Sequence, residues 1–493
     1  MAHSMLFALR KIIARRIPAG SFLRHALAVS SGVTFGQAIL FLATPVITRL
    51  YSPFEMGTLA TLTSLAALIL PFATLRFDVA IGIARDDAEA ENLTALTLSC
   101  TAGIAGVLAL LVAAVPGSWW IERGMAASAV ELRWALPLLV AAASLDTVMQ
   151  RFGTYRQAYK ALAVASVTRA VGASVVKIGA GLAQAGVLGL LAGDLCRQLL
   201  GTGTIARVSG LSVRSVLSRL RWQELLATAR MHRRYPMYTL WGSFLNIAGL
   251  QAPVQILSWR YSPAESGLYS LGLGAIQAPI GLISAGISNA FISRIRKGEQ
   301  AGRLPDMVTS MVQALAGIGA PWFALCCAWG PDMVALVFGG RWREGGMYLA
   351  FLAPWLYIMF VFASCSMVLN ARDMQGKDFG WQLALTSGRI GALCVAGAFL
   401  SARWAVAAFA LVSFIMLGCY QIWVLRIIGV SLRTTFAYAL RELSMYLLPV
   451  FAIVLLVWRD ALSVPLGFGL SLAVVAAIVA VRFRANPVFR FFS

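Results

Sequence analysis

Apolar runs of about twenty residues recur along this chain, separated only by short charged interruptions, and no polar stretch is long enough to fold as a soluble domain. A helix rises about 1.5 Å per residue and a bilayer core is about 30 Å thick, so each run has the length of one crossing. Lipid offers the backbone no hydrogen bonds, which leaves helices as the assignment for every run. Charged residues make up 12% of the 493, about half the share of an ordinary soluble chain, and the mean hydropathy is +0.78. The pattern predicts an all-α polytopic membrane protein of about fourteen spans, near residues 26–48, 56–77, 93–115, 134–150, 161–183, 186–206, 236–258, 267–290, 307–329, 347–369, 380–401, 404–425, 443–458 and 463–481. Around Trp458, Arg459 and Asp460 the sequence leaves open whether a turn joins two full spans or a re-entrant pair.

With the N-terminus placed inside, most of the 41 Lys and Arg residues fall on the cytoplasmic side, the bias that orients membrane helices. Both termini are therefore expected in the cytoplasm. The formal net charge of +21 then reads as topology and contact with anionic headgroups, not as nucleic-acid binding, since no basic stripe is interleaved with exposed aromatics. Leu6–Ile17 mixes apolar and basic residues as an interfacial helix does, and the long run after it argues against a cleavable signal peptide. The seven cysteines, Cys100, Cys196, Cys326, Cys327, Cys365, Cys394 and Cys419, lie in or beside spans without metal-ligand spacing and read as packing residues.

One phrase recurs. Tyr51-Ser52-Pro53-Phe54-Glu55-Met56-Gly57 follows the first span, and Tyr261-Ser262-Pro263-Ala264-Glu265-Ser266-Gly267 follows the seventh, each with an Arg just before it. Ser-Pro starts a turn and the next helix, Glu sits at the positive end of that helix, and Gly allows close packing. The recurrence predicts two related halves in the same orientation: a basic interfacial segment 1–25, a six-helix lobe 26–206, a basic cytoplasmic linker 207–235 read as an amphipathic helix, a second six-helix lobe 236–425, and two further helices with the tail in 426–493. Gly32 and Gly36, and Gly272, Gly274, Gly281 and Gly286, offer small packing faces.

Some charges fall where lipid should exclude them. Arg169 and Lys177 lie in the fifth span, Arg197 in the sixth and Arg389 in the eleventh, with Asp146 in the fourth and Asp194 in the sixth. A charge at a helix centre costs roughly 2.5–3.5 kcal/mol, so four bases would cost on the order of 10 kcal/mol, comparable to a protein's whole stability. Asp194 and Arg197 stand i,i+3 and can pair. Arg169 and Lys177 share a face two turns apart. With Arg389 they point to a water-filled cationic cavity, the alternatives being snorkelling or burial on a carbonyl. Arg49 and Arg76 close the first two spans, as cavity residues or as interface anchors. Guanidinium groups suit a diphosphate, which they bind bidentately while keeping their charge.

Catalytic chemistry is poorly served. The histidines, His3, His25 and His232, are all cytoplasmic by this topology, and there is no phosphate-loop motif and no metal-binding His/Glu pair. The longest outer loops, near 116–133 and 330–346, are short, and their Glu122, Arg123, Arg343 and Glu344 read as rim charges.

The run Pro45–Gly57, then Leu75-Arg76-Phe77-Asp78-Val79-Ala80-Ile81 with an acidic patch after it, resembles bacterial polysaccharide-repeat flippases. These are the O-antigen and exopolysaccharide (Wzx-type) transporters of the multidrug/oligosaccharidyl-lipid/polysaccharide exporter superfamily. Tyr261–Leu271 and Val337-Phe338-Gly339 followed by Trp342 carry the same resemblance into the second half. It implies two six-helix lobes in a V with two extra C-terminal helices, alternating access, and a cationic cavity for an undecaprenyl-diphosphate-linked glycan in the inner membrane. It also implies membrane lipids, a polysaccharide polymerase and a chain-length regulator as partners, and no cofactor. Arg49 and Arg76 stand where the family carries arginines, whereas Asp78 replaces its frequent Glu. On this reading Asp146 or Asp194 would couple transport to a cation gradient. A cation-coupled drug or metabolite antiporter of the same fold is the alternative, and it calls for more acid than base in the cavity. A glycan polymerase or ligase is the third reading, and it needs a large outer loop.

Overall fold

The computed structural model describes residues 22–118, 131–209, 221–277, 304–362, 365, 368–369 and 374–485. Among these the protein is all-helical: a multi-pass membrane protein in two compact units, Met1–Tyr51 with Thr61–Ile247, and Ser52–Ala60 with Ala248–Ser493. The helices before the linker are α1 (Phe22–Leu50), α2 (Pro53–Thr74), the short α3 (Phe77–Ile81), α4 (Asp87–Ala114), α5 (Ala135–Tyr155), α6 (Tyr159–Leu182) and α7 (Gly186–Ser209). The linker helix is α8 (Trp222–Met231), followed by α9 (Leu240–Arg260), α10 (263–277), α11 (Leu304–Phe338), α12 (Arg343–Phe362), α13 (Gln375–Phe399), α14 (Ala402–Ile428), α15 (Leu432–Trp458) and α16 (Val464–Ala485). The first two turns of α2 count with the second unit.

Eleven of the described helices are long and apolar enough to cross a membrane, against the fourteen expected. Glycines and charged or amide side chains dilute α7 and α9, which carry Asp194 and Arg197, and Asn246 and Gln251, while α10 is described only to residue 277. The last two spans are full helices joined by a tight turn in which Asp460 adopts φ 57°. Leu6–Ile17, the tip of the 116–133 loop, and Gly281 and Gly286 lie outside the described residues.

In the first unit the Gly32/Gly36 pair lets α1 meet α6 closely. A Cβ on Gly32 would stand 2.4 Å from that of Ala163, and one on Gly36 would stand 2.7 Å from the carbonyl of Ser166. Phe77, Ile81, Leu93, Val148, Met149, Phe152 and Ile205 form a buried core that Leu225 of the linker helix completes. The described part of the linker holds a ten-residue helix, Trp222–Met231, with Leu225 and Thr228 buried. His232, just past its end, lies 3.0 Å from the carboxylate of Glu89. In the second unit two polar contacts hold α15 and α16 to the bundle and a third joins them to each other. Tyr357 Oη donates to the Ala439 carbonyl at 2.7 Å, Trp329 Nε1 donates to Ser471 Oγ at 2.9 Å, and Arg482 pairs with the buried Glu442 at 2.5 Å.

Candidate functional site

The recurring phrase folds alike at both places and for the reasons its residues suggest. Ser52 Oγ accepts from the amide of Glu55 at 3.2 Å, and the Glu55 carboxylate accepts from the Ser52 amide at 2.7 Å, a reciprocal cap on α2. Ser262 caps α10 in the same way through the Glu265 amide, at 3.3 Å. The Glu265 carboxylate, however, accepts from Tyr348 Oη on α12. Each motif tyrosine ties the turn to a helix end: Tyr51 Oη donates to the Lys177 carbonyl at 2.8 Å, and Tyr261 Oη donates to the Leu400 carbonyl at 2.7 Å. Burial pushes the Tyr261 hydroxyl above its ordinary pKa, which keeps it a donor. Within the second unit the two copies meet backbone to backbone. A Cβ on Gly57 would fall 1.6 Å from the Pro263 carbonyl oxygen, and one on Gly267 would fall 2.1 Å from that of Pro53.

Five of the eight singled-out charges assemble in the first unit. Arg169 pairs with Asp146, which also accepts from Gln150 Nε2 at 2.9 Å. Lys177 Nζ lies 2.8 Å from Asp194, whose other basic neighbour, Arg197, is at 3.7 Å. The i,i+3 contact is thus the looser of Asp194's two. Arg169 and Lys177, which had no evident partner along their own helix, take carboxylates from α5 and α7. What admits them is α7. A Cβ on Gly201 would lie 1.7 Å from Arg169 Nε, and one on Gly193 would lie 2.3 Å from Lys177 Cγ. The spacing of eight that separates the two bases also separates the two glycines, as antiparallel neighbours require. Three bases face two acids here, and the side chain of Arg197, 44% exposed, is the open member.

Arg49 and Arg76 close the first two spans. Arg49, at the end of α1, donates through Nη1 to the Pro45 carbonyl at 2.7 Å. Arg76 sits in a left-handed turn, φ 60°, after Leu75 at φ 45°. Its guanidinium lies 3.7 Å from the fully buried Asp78, which Arg151 approaches to 3.8 Å and to which Thr74 donates at 3.0 Å. Asp78 is the hub of the α2–α3 turn.

Arg389 belongs to the second unit and is housed by aromatics. Its guanidinium carbon lies 5.2 Å from the centre of the buried Trp355 ring, a contact worth about 2 kcal/mol when desolvated. Phe409 packs edge-on against both Trp355 and Tyr269. Arg389 Nε and Trp355 Nε1 are both buried without a hydrogen-bond partner, and no carboxylate pairs with Arg389 among the described residues. Trp355 and Tyr269, and the two glycines of α7, are the site residues that the sequence reading passed over. Only the glycines left a trace there, in their matching spacing. Of the rim charges, Arg343 pairs with Asp332 at 2.8 Å and Glu344 with Arg403 at 2.6 Å, while Glu122 and Arg123 lie outside the described residues. Among the described residues no cluster of His, Cys, Asp or Glu could hold a metal ion.

A family model described as "Polysaccharide biosynthesis protein" matches residues 46–345. Among curated proteins none matches. Among solved structures the chain is similar to the lipid II flippase MurJ in its inward closed conformation, with a TM-score of 0.68 at 10% identity, over 93% of this chain and 99% of that one. It is also similar to an inward-facing multidrug resistance MATE family transporter of the MOP superfamily (TM-score 0.48, 13% identity, 82% and 98% covered) and to a MATE protein in the bent conformation (0.47, 14%, 84% and 96%). At these identities the likeness is one of fold.

Proposed function

The chain belongs to the polysaccharide biosynthesis protein family, and from that we propose that it is a flippase for undecaprenyl-diphosphate-linked oligosaccharide units, of O-antigen, exopolysaccharide or capsule type, in the bacterial inner membrane. It takes the unit from the cytoplasmic to the periplasmic leaflet by alternating access, with both termini in the cytoplasm. It makes and breaks no covalent bond and uses no cofactor. The fold it shares with a lipid II flippase supports this reading.

The observation that carries it is the surplus of positive charge at membrane depth. Arg169, Lys177 and Arg197 face only Asp146 and Asp194, and Arg389 has no acid beside it among the described residues. An unmatched cation in a span is costly and marks a site where an anion arrives. A diphosphate supplies that anion, and guanidinium groups hold it bidentately. Arg49 and Arg76 belong to the same substrate path, at the two ends of their spans. A phosphate that engages Arg169 or Arg197 competes with Asp146 or Asp194, and a carboxylate so released takes up a proton, which links transport to a cation gradient. The antiporter alternative calls for an acid surplus, the reverse of the α5–α7 cluster.

The test is complementation of a deletion strain. Arg197→Gln and Arg389→Gln, at wild-type membrane levels, should each lower surface glycan at least ten-fold, about 1.4 kcal/mol of lost diphosphate binding. Undiminished export by both variants would remove the cationic site from the account.

A further inference from the structure

A second surface feature lies outside that charge cluster. In the second unit the opening turns of α13 and the last third of α14 border a shallow, open pocket of about 440 Å³ lined by Lys377, Gly380, Trp381, Ala384 and Trp423. Its walls are aromatic. The Trp381 and Trp423 ring centres stand 5.8 Å apart, and Tyr420 lies 5.9 Å from the first and 6.0 Å from the second. Tyr420 Oη donates to Asp378 at 2.6 Å, so the nearby carboxylate is already engaged. Lys377 is exposed and has no carboxylate partner among the described residues. At Gly380 the helix surface is bare, since a Cβ there would meet nothing within 4 Å. Phe379 and Leu383 are exposed on the same stretch of α13.

We propose that this pocket binds the headgroup of an anionic phospholipid from the surrounding bilayer. Lys377 Nζ holds the phosphate, and the Trp381 and Trp423 indoles pack on the glycerol and first methylenes. Three features select that occupant. Indole rings favour the depth at which headgroup meets acyl chain. The Lys and Arg bias puts the start of α13 on the cytoplasmic side, where anionic lipids attract basic residues. A single cation amid apolar walls suits an amphiphile, whereas free phosphate needs several converging donors. Aromatic anchoring alone would give no saturable site.

The full-length protein in detergent is titrated separately with phosphatidylglycerol, with phosphatidylcholine of the same chains and with inorganic phosphate, and bound molecules are counted by native mass spectrometry. One saturable phosphatidylglycerol site is expected, weakened roughly five-fold in Lys377→Gln and at least as much in Gly380→Leu. The leucine fills the pocket yet replaces a helical glycine that has open space around it, so the helix is retained. Neither phosphatidylcholine nor inorganic phosphate should saturate the site. Equal affinity for phosphatidylcholine, saturation by inorganic phosphate, or a phosphatidylglycerol site unchanged in both variants overturns the proposal. Because glycan export plays no part in the readout, the result stands apart from the flippase reading.

Discussion

Replacing Gly201 by alanine strikes at the housing of Arg169. The new methyl carbon would lie 1.7 Å from Arg169 Nε and 2.4 Å from its Cζ, so the guanidinium must retreat by about 1.7 Å to reach ordinary contact at 3.4 Å. The flexible side chain can make that shift, and the expected cost is the loss of its pair with Asp146. A charge left unmatched at that depth costs roughly 2.5–3.5 kcal/mol, while alanine gains about 1 kcal/mol over glycine in a helix. The balance is a loss of about 2 kcal/mol. Unfolding of the purified protein in mixed micelles under a denaturant titration measures it. Adding Arg169→Ala and Asp146→Ala removes both the clash and the charges, and should recover the loss. A Gly201→Ala protein more stable than wild type by about 1 kcal/mol, or a triple variant no better than the single one, would refute the argument.

Other outcomes follow from the recurring motif. Gly57→Ala and Gly267→Ala press a methyl onto a backbone carbonyl and should sharply lower folded yield by size-exclusion profile, while Gly103→Ala and Gly106→Ala, which meet nothing within 4 Å, should not. Ser52→Ala should cost about 1 kcal/mol in a thermal melt, and Ser262→Ala should cost less, because Glu265 does not complete a reciprocal cap. Trp355→Leu removes the ring beneath Arg389. In the same complementation assay it should lower export as Arg389→Gln does, and Arg389→Lys should fall between that variant and wild type, since ammonium stacks less well on indole.

The fold class was readable from the length of the apolar runs, because a bilayer fixes how long a crossing must be. The twin turns were readable too, since Ser, Pro and Glu act on their own backbone within three residues. Contacts between helices were not. Arg169 and Lys177 looked unmatched because their carboxylates come from neighbouring helices, Asp146 from α5 and Asp194 from α7, and only the antiparallel register brings them together. The clue was the shared spacing of eight between the two bases and between Gly193 and Gly201. Arg389 was singled out by depth alone, and the ring that supports it stands on α12, at a sequence distance that no local pattern spans. Glu265 repeats the sequence of Glu55 but not its contact, because Tyr348 on α12 reaches it first.

The measurement that bears most directly on transport is the sidedness of the lipid-linked glycan. In spheroplasts of a deletion strain, a membrane-impermeant reagent that modifies sugars should leave the accumulated polyprenyl-diphosphate units untouched, and expression of the wild-type chain should expose them. If those units are already modified in the strain lacking the protein, they cross without it, and the chain acts at a later step of assembly.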